Sequence, residues 1–300
     1  MRKSLRSKLD SVRVTRGLLD EFPIPIPSSD DDKDARGRVL VVGGCVTLPG
    51  AIVLAGIAAL RAGAGKLQIA TCRSIAPLVG IAVPEALSLG LDETPDGVIA
   101  PRSTNALDDL IANTDALLIG PGTKGNDDER LLVNRILSMP PQSPIVLDAG
   151  ALYALTENPA ILRACEGNAV ITPHAKEMAG ILGIDVHDVT SDPATIALMA
   201  AQTMNAVVAL KGSETFIATP DAALYCYDAG DVGLATSGSG DTLAGIVAGL
   251  IARGCSPLNA ALWAVFLHGT AGNRLAKRIG RVGYLARELL DEIPLVLRGA

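Results

Sequence analysis

Short apolar runs recur along the chain, and each ends on glycine or on a polar residue. Val39–Val42 stops at Gly43-Gly44, Ala116–Ile119 at Gly120-Pro121-Gly122, and Ile145–Leu147 at Asp148. Ala169–Ile171 stops at Thr172-Pro173-His174, and Val207–Leu210 at Lys211-Gly212. A strand covered on both faces has no polar side to show, so unalternating runs of this kind predict a parallel sheet between helices. Pro49 opens a helical stretch through Arg61, and Leu67–Thr71 supplies the next strand, which completes one βαβ unit. Glu214–Thr219 and Leu224–Asp228, split by Pro220-Asp221, predict an antiparallel hairpin ahead of a helix at Asp241. Ligands of such sheets gather at the carboxyl ends of the strands, so the glycines and polar residues that follow each run are expected on one rim.

Composition narrows the class. In 300 residues, 49% are hydrophobic but only 3% aromatic, which suits close packing of small side chains in one large α/β domain. That domain is expected to span residues 38–300. Residues 1–37 carry Pro23, Pro25, Pro27 and the acidic cluster Asp30–Asp34, a composition that predicts an extended, solvated N-terminal arm. The first sixteen residues hold six basic side chains and one acid, with no apolar segment or small-residue cleavage site after them, so they do not read as a targeting peptide.

No apolar run approaches the ~18–20 residues of a membrane-spanning helix. The net charge is -6 and no basic stripe with interleaved aromatics occurs, which argues against a nucleic-acid partner. The five cysteines are odd in number, widely spaced and without a CxxC pair, so neither a disulfide framework nor a zinc site is suggested, and a cytoplasmic setting is expected.

The densest chemistry lies in Thr236-Ser-Gly-Ser-Gly-Asp241. Two glycines let successive N–H groups converge where a helix begins, and the helix dipole favours an anion there, so Gly238, Ser239 and Gly240 form a candidate phosphoryl cradle. Asp241, in the first helical turn, is the candidate catalytic base. The dipole favours its carboxylate by ~0.3–1 kcal/mol, so it is expected to be ionised at neutral pH. The same residue would serve equally as an N-terminal cap. Gly245 and Gly249, four apart on the following helix, mark a face that lets another backbone approach closely.

Lys211-Gly212-Ser213-Glu214-Thr215 follows a strand and could surround nucleotide phosphates, although the run lacks the GxxxxGK[ST] string and would also serve as a turn. His174 and Glu177, three apart at a helix start, could reach one ligand or a hydrated magnesium ion, or could simply cap the helix. His187 and His268 have no such company, and ordinary surface or core roles suffice for both.

Taken in order, Gly43-Gly44, Pro49-Gly50-Ala51, Leu60–Gly65, Gly120-Pro121-Gly122, Asp148-Ala149, Thr172-Pro173-His174, Leu210-Lys211-Gly212 and Ser239-Gly240-Asp241 resemble the NAD(P)H-hydrate dehydratases of the ribokinase-like superfamily. The resemblance runs from about Arg38 to Pro294 and implies a central, mostly parallel sheet with helices on both faces. It implies an enzyme that repairs NADH or NADPH hydrated on the dihydropyridine ring (the S epimer), using ADP or ATP with Mg2+ to phosphorylate the added hydroxyl and then losing phosphate. By motif match, Lys211, Gly212, Ser213, Glu214, Thr215 and Gly240 would touch the adenine nucleotide. Ala51, Gly122, His174 and Asp241 would touch the hydrated dinucleotide. Glu177 occupies the acidic place of the superfamily's phosphate and magnesium motif, and would act on the metal indirectly. Homo-oligomers are common in the family. Cys45, Leu48, Gly150, Ala175-Lys176 and Ser237 depart from its usual pattern. Two other readings share the same cradle, a small-molecule kinase of the superfamily and a catalytically silent nucleotide-binding protein.

Overall fold

The structure, a computed structural model, describes residues 10–298 apart from 27, 29, 31, 140 and 141. Ten strands form one sheet: β1 (Val12–Arg13), β2 (Arg38–Val42), β3 (Lys66–Cys72), β4 (Ala86–Leu91), β5 (Ala116–Ile119), β6 (Ile145–Leu147), β7 (Ala169–Ile171), β8 (Val207–Leu210), β9 (Thr215–Ala218) and β10 (Leu224–Tyr227). Their spatial order is β1-β10-β9-β8-β7-β6-β5-β2-β3-β4. From β4 through β8 every pairing is parallel, whereas β9 pairs antiparallel with both β8 and β10.

The helices are α1 (Arg16–Leu19), α2 (Pro49–Arg61), α3 (Ala76–Ala82), α4 (Thr104–Ala112), α5 (Asp127–Ser138), α6 (Ala175–Leu182), α7 (Val186–Ser191), α8 (Pro193–Met204), α9 (Ser239–Ala252), α10 (Pro257–Arg278) and α11 (Ala286–Leu297).

The apolar strands are buried on both faces, as their lack of alternation predicts. Val39, Val41, Ala116, Leu118 and Val146 join the core under α2, α9 and α10. Their neighbours Leu40, Val42, Leu117, Ile119, Ile145 and Leu147 point the other way, into the core under α5, α6 and α8.

The chain winds from β2 outward through β3 to β4, returns to β5 on the other side of β2, and then steps through β6 and β7 to β8. The order therefore reverses between β2 and β5, and a crevice opens there at the carboxyl edge, where ligands of open α/β sheets bind.

Helices α2 and α9 run side by side with almost no side chain between them. A methyl group added at Gly245 would sit 2.2 Å from the Ala55 carbonyl oxygen, and one at Gly249 would sit 2.4 Å from that of Ala59. The pairings 245 with 55 and 249 with 59 rise together, so the two helices are parallel, and one turn earlier Asp241 lies level with Ala51. Both helix starts face the same rim.

Alanine at a helical glycine ordinarily stabilises by ~1 kcal/mol. For Gly245→Ala the backbone clash should reverse that sign and lower unfolding stability by ~1–3 kcal/mol. Gly180→Ala in α6, where no atom lies within 4 Å of the new methyl, should be neutral or stabilising. Urea melts of the two variants against the parent check the contrast.

The sequence expectation of a solvated arm needs correction over residues 12–25. Val12 and Arg13 pair in parallel with Tyr225 and Cys226, and Leu19 is fully buried. The Trp263 indole donates to the Phe22 carbonyl at 2.6 Å, and the Arg16 guanidinium lies over the Trp263 ring. Val14, Leu18, Leu19, Phe22 and Ile24 supply enough apolar surface to dock a segment that its prolines and charges had marked as solvated. Residues 1–9, 27, 29 and 31 of that segment lie outside the described residues. No described helix is long and apolar enough to cross a membrane.

Candidate active site

The loops after β2, β5, β6, β7 and β8 meet at the carboxyl edge, joined by the starts of α2 and α9. Asp148, at the end of β6, is 2% exposed and forms the centre of the polar cluster. Its Oδ1 accepts the Thr172 hydroxyl at 2.7 Å and pairs with Lys211 Nζ at 2.9 Å. The next residue, Ala149, has a φ of 51°, a conformation costly for a residue with a Cβ and one that collects at functional sites. Beside it Gly120, with φ 123°, lies so close to the Asp148 carbonyl that a side chain there would collide with it.

Lys211 reaches inward from the end of β8, where its amide donates to the Pro173 carbonyl and continues the β7–β8 pairing up to His174. Burial by itself would pull the Lys211 ammonium down, but the carboxylates of Asp148, Glu177 and Asp241 outweigh it and hold the group above its ordinary value. Its Nζ stands 3.2 Å from the point where a side chain at Gly240 would begin. Glycine at 240 therefore keeps a fixed positive charge against the first turn of α9.

That turn is built as the glycines predict. Gly238 takes the left-handed conformation at φ 87° and caps α9 without a side-chain hydrogen bond. The Ser239 amide is used up on the Thr236 carbonyl, and the Thr242 hydroxyl and amide both donate to the Gly238 carbonyl. The cradle is thus narrower than its three residues suggest. Among the described residues, the Gly238 and Gly240 amides meet no acceptor, while that of Ser239 is turned away.

Asp241 is half-buried in this turn, and its protonation differs from the sequence expectation. Loss of solvent and the nearby Asp148 charge push its carboxyl up to about 7, against a smaller opposing pull from Lys211 and from its own amide. The helix dipole contributes less than one pKa unit, too little to keep the group ionised once it is desolvated. At neutral pH the carboxyl is poised between its two states.

Ala51 and Gly122 come together on the other side of the crevice. A Cβ at Gly122, whose φ is 76°, would fall 3.2 Å from that of Ala51 and 2.6 Å from the Leu48 carbonyl. Gly44 donates to the Pro121 carbonyl at 2.8 Å and ties this wall together. The start of α2 has no side-chain cap, and Gly50 has open space before it.

His174 and Glu177 form a reciprocal capping box at the start of α6. The His174 amide donates to Glu177 Oε2 at 2.7 Å, and the Glu177 amide donates to His174 Nδ1 at 3.1 Å. With Nδ1 taken by the Glu177 amide, Nε2 is the ring nitrogen left over, and it stands 3.5 Å from Glu177 Oε1. Gly212, Ser213 and Glu214 are exposed in the turn between β8 and β9, with Thr215 opening β9, so Lys211 alone of that run points into the cluster.

With this geometry in place, the match to known proteins is decisive. The family model for NAD(P)H-hydrate dehydratase covers residues 39–295. The ADP-dependent (S)-NAD(P)H-hydrate dehydratase of Xanthomonas campestris pv. campestris is 51% identical over 95% of each chain. The chain belongs to the NAD(P)H-hydrate dehydratase family.

Among solved structures, the ADP/ATP-dependent NAD(P)H-hydrate dehydratase of Bacillus subtilis, co-crystallized with ATP/Mg2+, superposes with a TM-score of 0.79 at 27% identity, covering 97% of this chain and 99% of that one. A hydroxyethylthiazole kinase from Pyrococcus horikoshii, at 17% identity and a TM-score of 0.58 over 89% and 93% of the two chains, shares the fold alone. Family membership thus favours the dehydratase over the kinase reading of the cradle, and the ribokinase-like architecture expected from the motifs is the one observed.

The departures from the family's usual pattern have local explanations in part. A Cβ at Gly150 would lie 2.4 Å from the Thr123 hydroxyl and 2.5 Å from the Gly125 amide, so the 123–125 loop leaves room for glycine alone at this position. Cys45 is buried with its Sγ 3.3 Å from the Thr47 hydroxyl, and Leu48 is half-exposed at the lip of the crevice. All five cysteines are outside disulfides. Nothing in the structure explains Ser237.

Two supporting residues escaped the sequence reading. Glu129, almost fully buried, accepts the amides of Lys124, Gly125 and Asn126 and holds the loop behind Gly122. Its spacing to Asn126 is that of a capping box and was legible. His268 of α10 lies 2.9 Å from the Ser239 hydroxyl through Nε2, a contact across 29 residues for which the sequence carries no signal.

Proposed function

We propose that this dehydratase uses ADP or ATP with Mg2+ to restore hydrated NADH or NADPH of the S configuration, with Asp241 as the base. The observation that carries the assignment is Asp241 itself, near neutral in its proton affinity, level with Ala51 and beside the uncommitted Gly240 amide and the Lys211 charge. The hydrated ring lies along the Ala51–Gly122 wall, at the reversal of strand order, and the nucleotide phosphates lie toward Lys211 and Gly240.

Phosphorylation forms a bond between the ring hydroxyl oxygen and the terminal phosphorus, breaks that phosphorus from the nucleotide, and passes the hydroxyl proton to the Asp241 carboxylate. Lys211 and the cradle amides steady the phosphoryl oxygens as charge moves. Hydroxide is a poor leaving group and phosphate a good one. The ring nitrogen then donates electrons as the carbon–oxygen bond breaks, a proton leaves the adjacent ring carbon, and the double bond is restored. His174, exposed at the rim, contacts the dinucleotide.

Mg2+ is ordinarily held by one or two carboxylates together with substrate phosphates and waters. Among the described residues no three His, Cys, Asp or Glu side chains converge to hold a metal, and Asp148 is committed to Lys211 and Thr172. The residues fit an ion that arrives with the nucleotide and neutralises its phosphates. Glu177, a fifth exposed beside the cap, would reach such an ion through water. Gly212, Ser213, Glu214 and Thr215 would line the outer side of the nucleotide. A cytoplasmic setting goes with this reading, and the exposed apolar Leu78, Ile81 and Leu87 near the open edge of β4 support a homo-oligomer.

Asp241 must be ionised to accept the proton. The value of kcat/KM should therefore fall ~tenfold per pH unit on the acid side of about 7 and level off above it. A pH profile of the free enzyme checks this, and a flat profile through neutrality would remove Asp241 as base. Phosphate released should match restored nicotinamide one to one. Accumulation of a stable phosphorylated product instead would make the protein a kinase.

A further inference from the structure

We propose that His268 is a positioning residue for phosphoryl transfer, fixing the Ser239 hydroxyl so that the Gly240 amide and the Asp241 carboxylate stay aimed at the reacting group. The proposal rests on the dehydratase reading above for its reaction, and on the first turn of α9 for its geometry.

The segment 238–240 is Gly-Ser-Gly, and the two glycines that allow its shape also leave it free to take others. Ser239 is the only residue of the three with a side chain. It is 4% exposed, and its hydroxyl lies 2.9 Å from His268 Nε2. Its amide is turned to the Thr236 carbonyl at 3.2 Å. Ser239 is thus held from both its backbone and its side chain, which fixes the Gly238–Ser239 peptide and the Ser239 Cα from which the chain runs on to the Gly240 N–H. The next residue is Asp241.

The anchor at the far end is rigid. His268 sits at the middle of α10, a helix of 22 residues, next to the fully buried Leu267, one turn before the fully buried Ala271, and facing the start of α9. Burial and the Lys211 charge keep the imidazole neutral, down to about 4, so the pair persists as a neutral hydrogen bond throughout the working range. Whichever tautomer is present, Nε2 and the hydroxyl supply one proton and one acceptor between them. A small lateral error in a reacting group costs on the order of 10² in rate, so a fixed cradle matters more here than the modest strength of a single hydrogen bond.

The test uses the full-length protein and separates the ground state from the transferring state. Binding of the leaving nucleotide with Mg2+, with and without aluminium fluoride (AMP for transfer from ADP, ADP for transfer from ATP), would be measured for the parent and for His268→Leu, His268→Gln, Ser239→Ala and the Ser239→Ala/His268→Leu pair. The fluoride complex mimics the phosphoryl group in flight. His268→Leu and Ser239→Ala are each expected to weaken the fluoride complex ~10-fold or more while the same nucleotide without fluoride stays within ~2-fold, and to lower kcat with KM little changed. His268→Gln, whose amide reaches about as far as Nε2, should recover most of the loss. The double variant should be no worse than either single one, because both remove the same bond.

An unchanged fluoride complex would overturn the proposal, as would equal weakening of both complexes, or single penalties that multiply in the pair. A parent protein for which fluoride adds nothing to the affinity of either AMP or ADP would overturn it too, since no cradle would then exist to aim. Failure of the parent to restore hydrated NADPH would instead sink the reaction assignment, and the binding comparison would still decide the role of His268.

Discussion

Replacing Asp241 with asparagine should lower turnover by ~10²- to 10⁴-fold, the usual weight of general-base catalysis, with nucleotide binding largely kept. The amide has the size of the carboxyl but cannot take a proton from the ring hydroxyl. Lys211 and the Gly240 amide, on which the nucleotide phosphates depend in this account, are not touched by the change.

A second readout comes from stability. The folded-state value of Asp241 lies at about 7, above its ordinary 3.8, so the folded protein holds this proton more tightly than the unfolded chain does. Its contribution is therefore fully present below the unfolded value and is lost as pH rises through about 7. The asparagine amide cannot ionise, so Asp241→Asn should melt higher than the parent above neutrality and show no such advantage below about 4. Thermal melts across pH, read beside turnover, would show a variant that is more stable and nearly inactive. A variant equally active, or one destabilised at alkaline pH, would remove Asp241 from the centre of the site.

Lys211→Met should destabilise the fold by ~3 kcal/mol, the lower end of what breaking a buried ion pair costs, because a fifth of the lysine side chain still meets solvent. Asp148 is left nearly fully buried with only the Thr172 hydroxyl to compensate it. Activity should fall as well, through lost charge at the phosphates and through Asp241, whose proton affinity Lys211 now holds down. Any remaining activity should have its acid limb moved to higher pH. Adding Asp148→Asn should restore most of the stability, since the uncompensated charge is gone, and none of the phosphate recognition. Chemical denaturation of the two singles and the double separates these effects, and additive losses in stability would show that the pair does not act as a unit.

Much of the fold could be read along the chain because the parallel strands are short, apolar and punctuated. Val39–Val42, Ala116–Ile119, Ile145–Leu147, Ala169–Ile171 and Val207–Leu210 each occupy the strand expected. The hairpin around Pro220 is β9 with β10. β4 is harder to read, since Ser88 and Gly90 break an edge strand that needs less apolar surface. The docked lead segment escaped because five apolar side chains among prolines and charges carry no period of their own.

At the site, glycine was the most informative residue. Gly122, Gly238 and Gly240 lie where a side chain would collide or block, and such positions announce themselves in sequence. Proton affinity did not. The near-neutral carboxyl of Asp241 arises from burial and from Asp148, which lies at the end of a distant strand, and the Ser239–His268 contact joins two helices. These are consequences of tertiary packing, which local sequence does not express. The His174–Glu177 pair forms a cap, in which Nδ1 accepts the Glu177 amide.

The most direct test of the central claim is recovery of reduced-nicotinamide absorbance when the protein is mixed with S-hydrated NADPH or NADH, Mg2+ and either ADP or ATP. Absorbance should return with at least one of the two nucleotides and should not return without nucleotide. No recovery with either nucleotide, from protein that is folded and binds ADP, would contradict it.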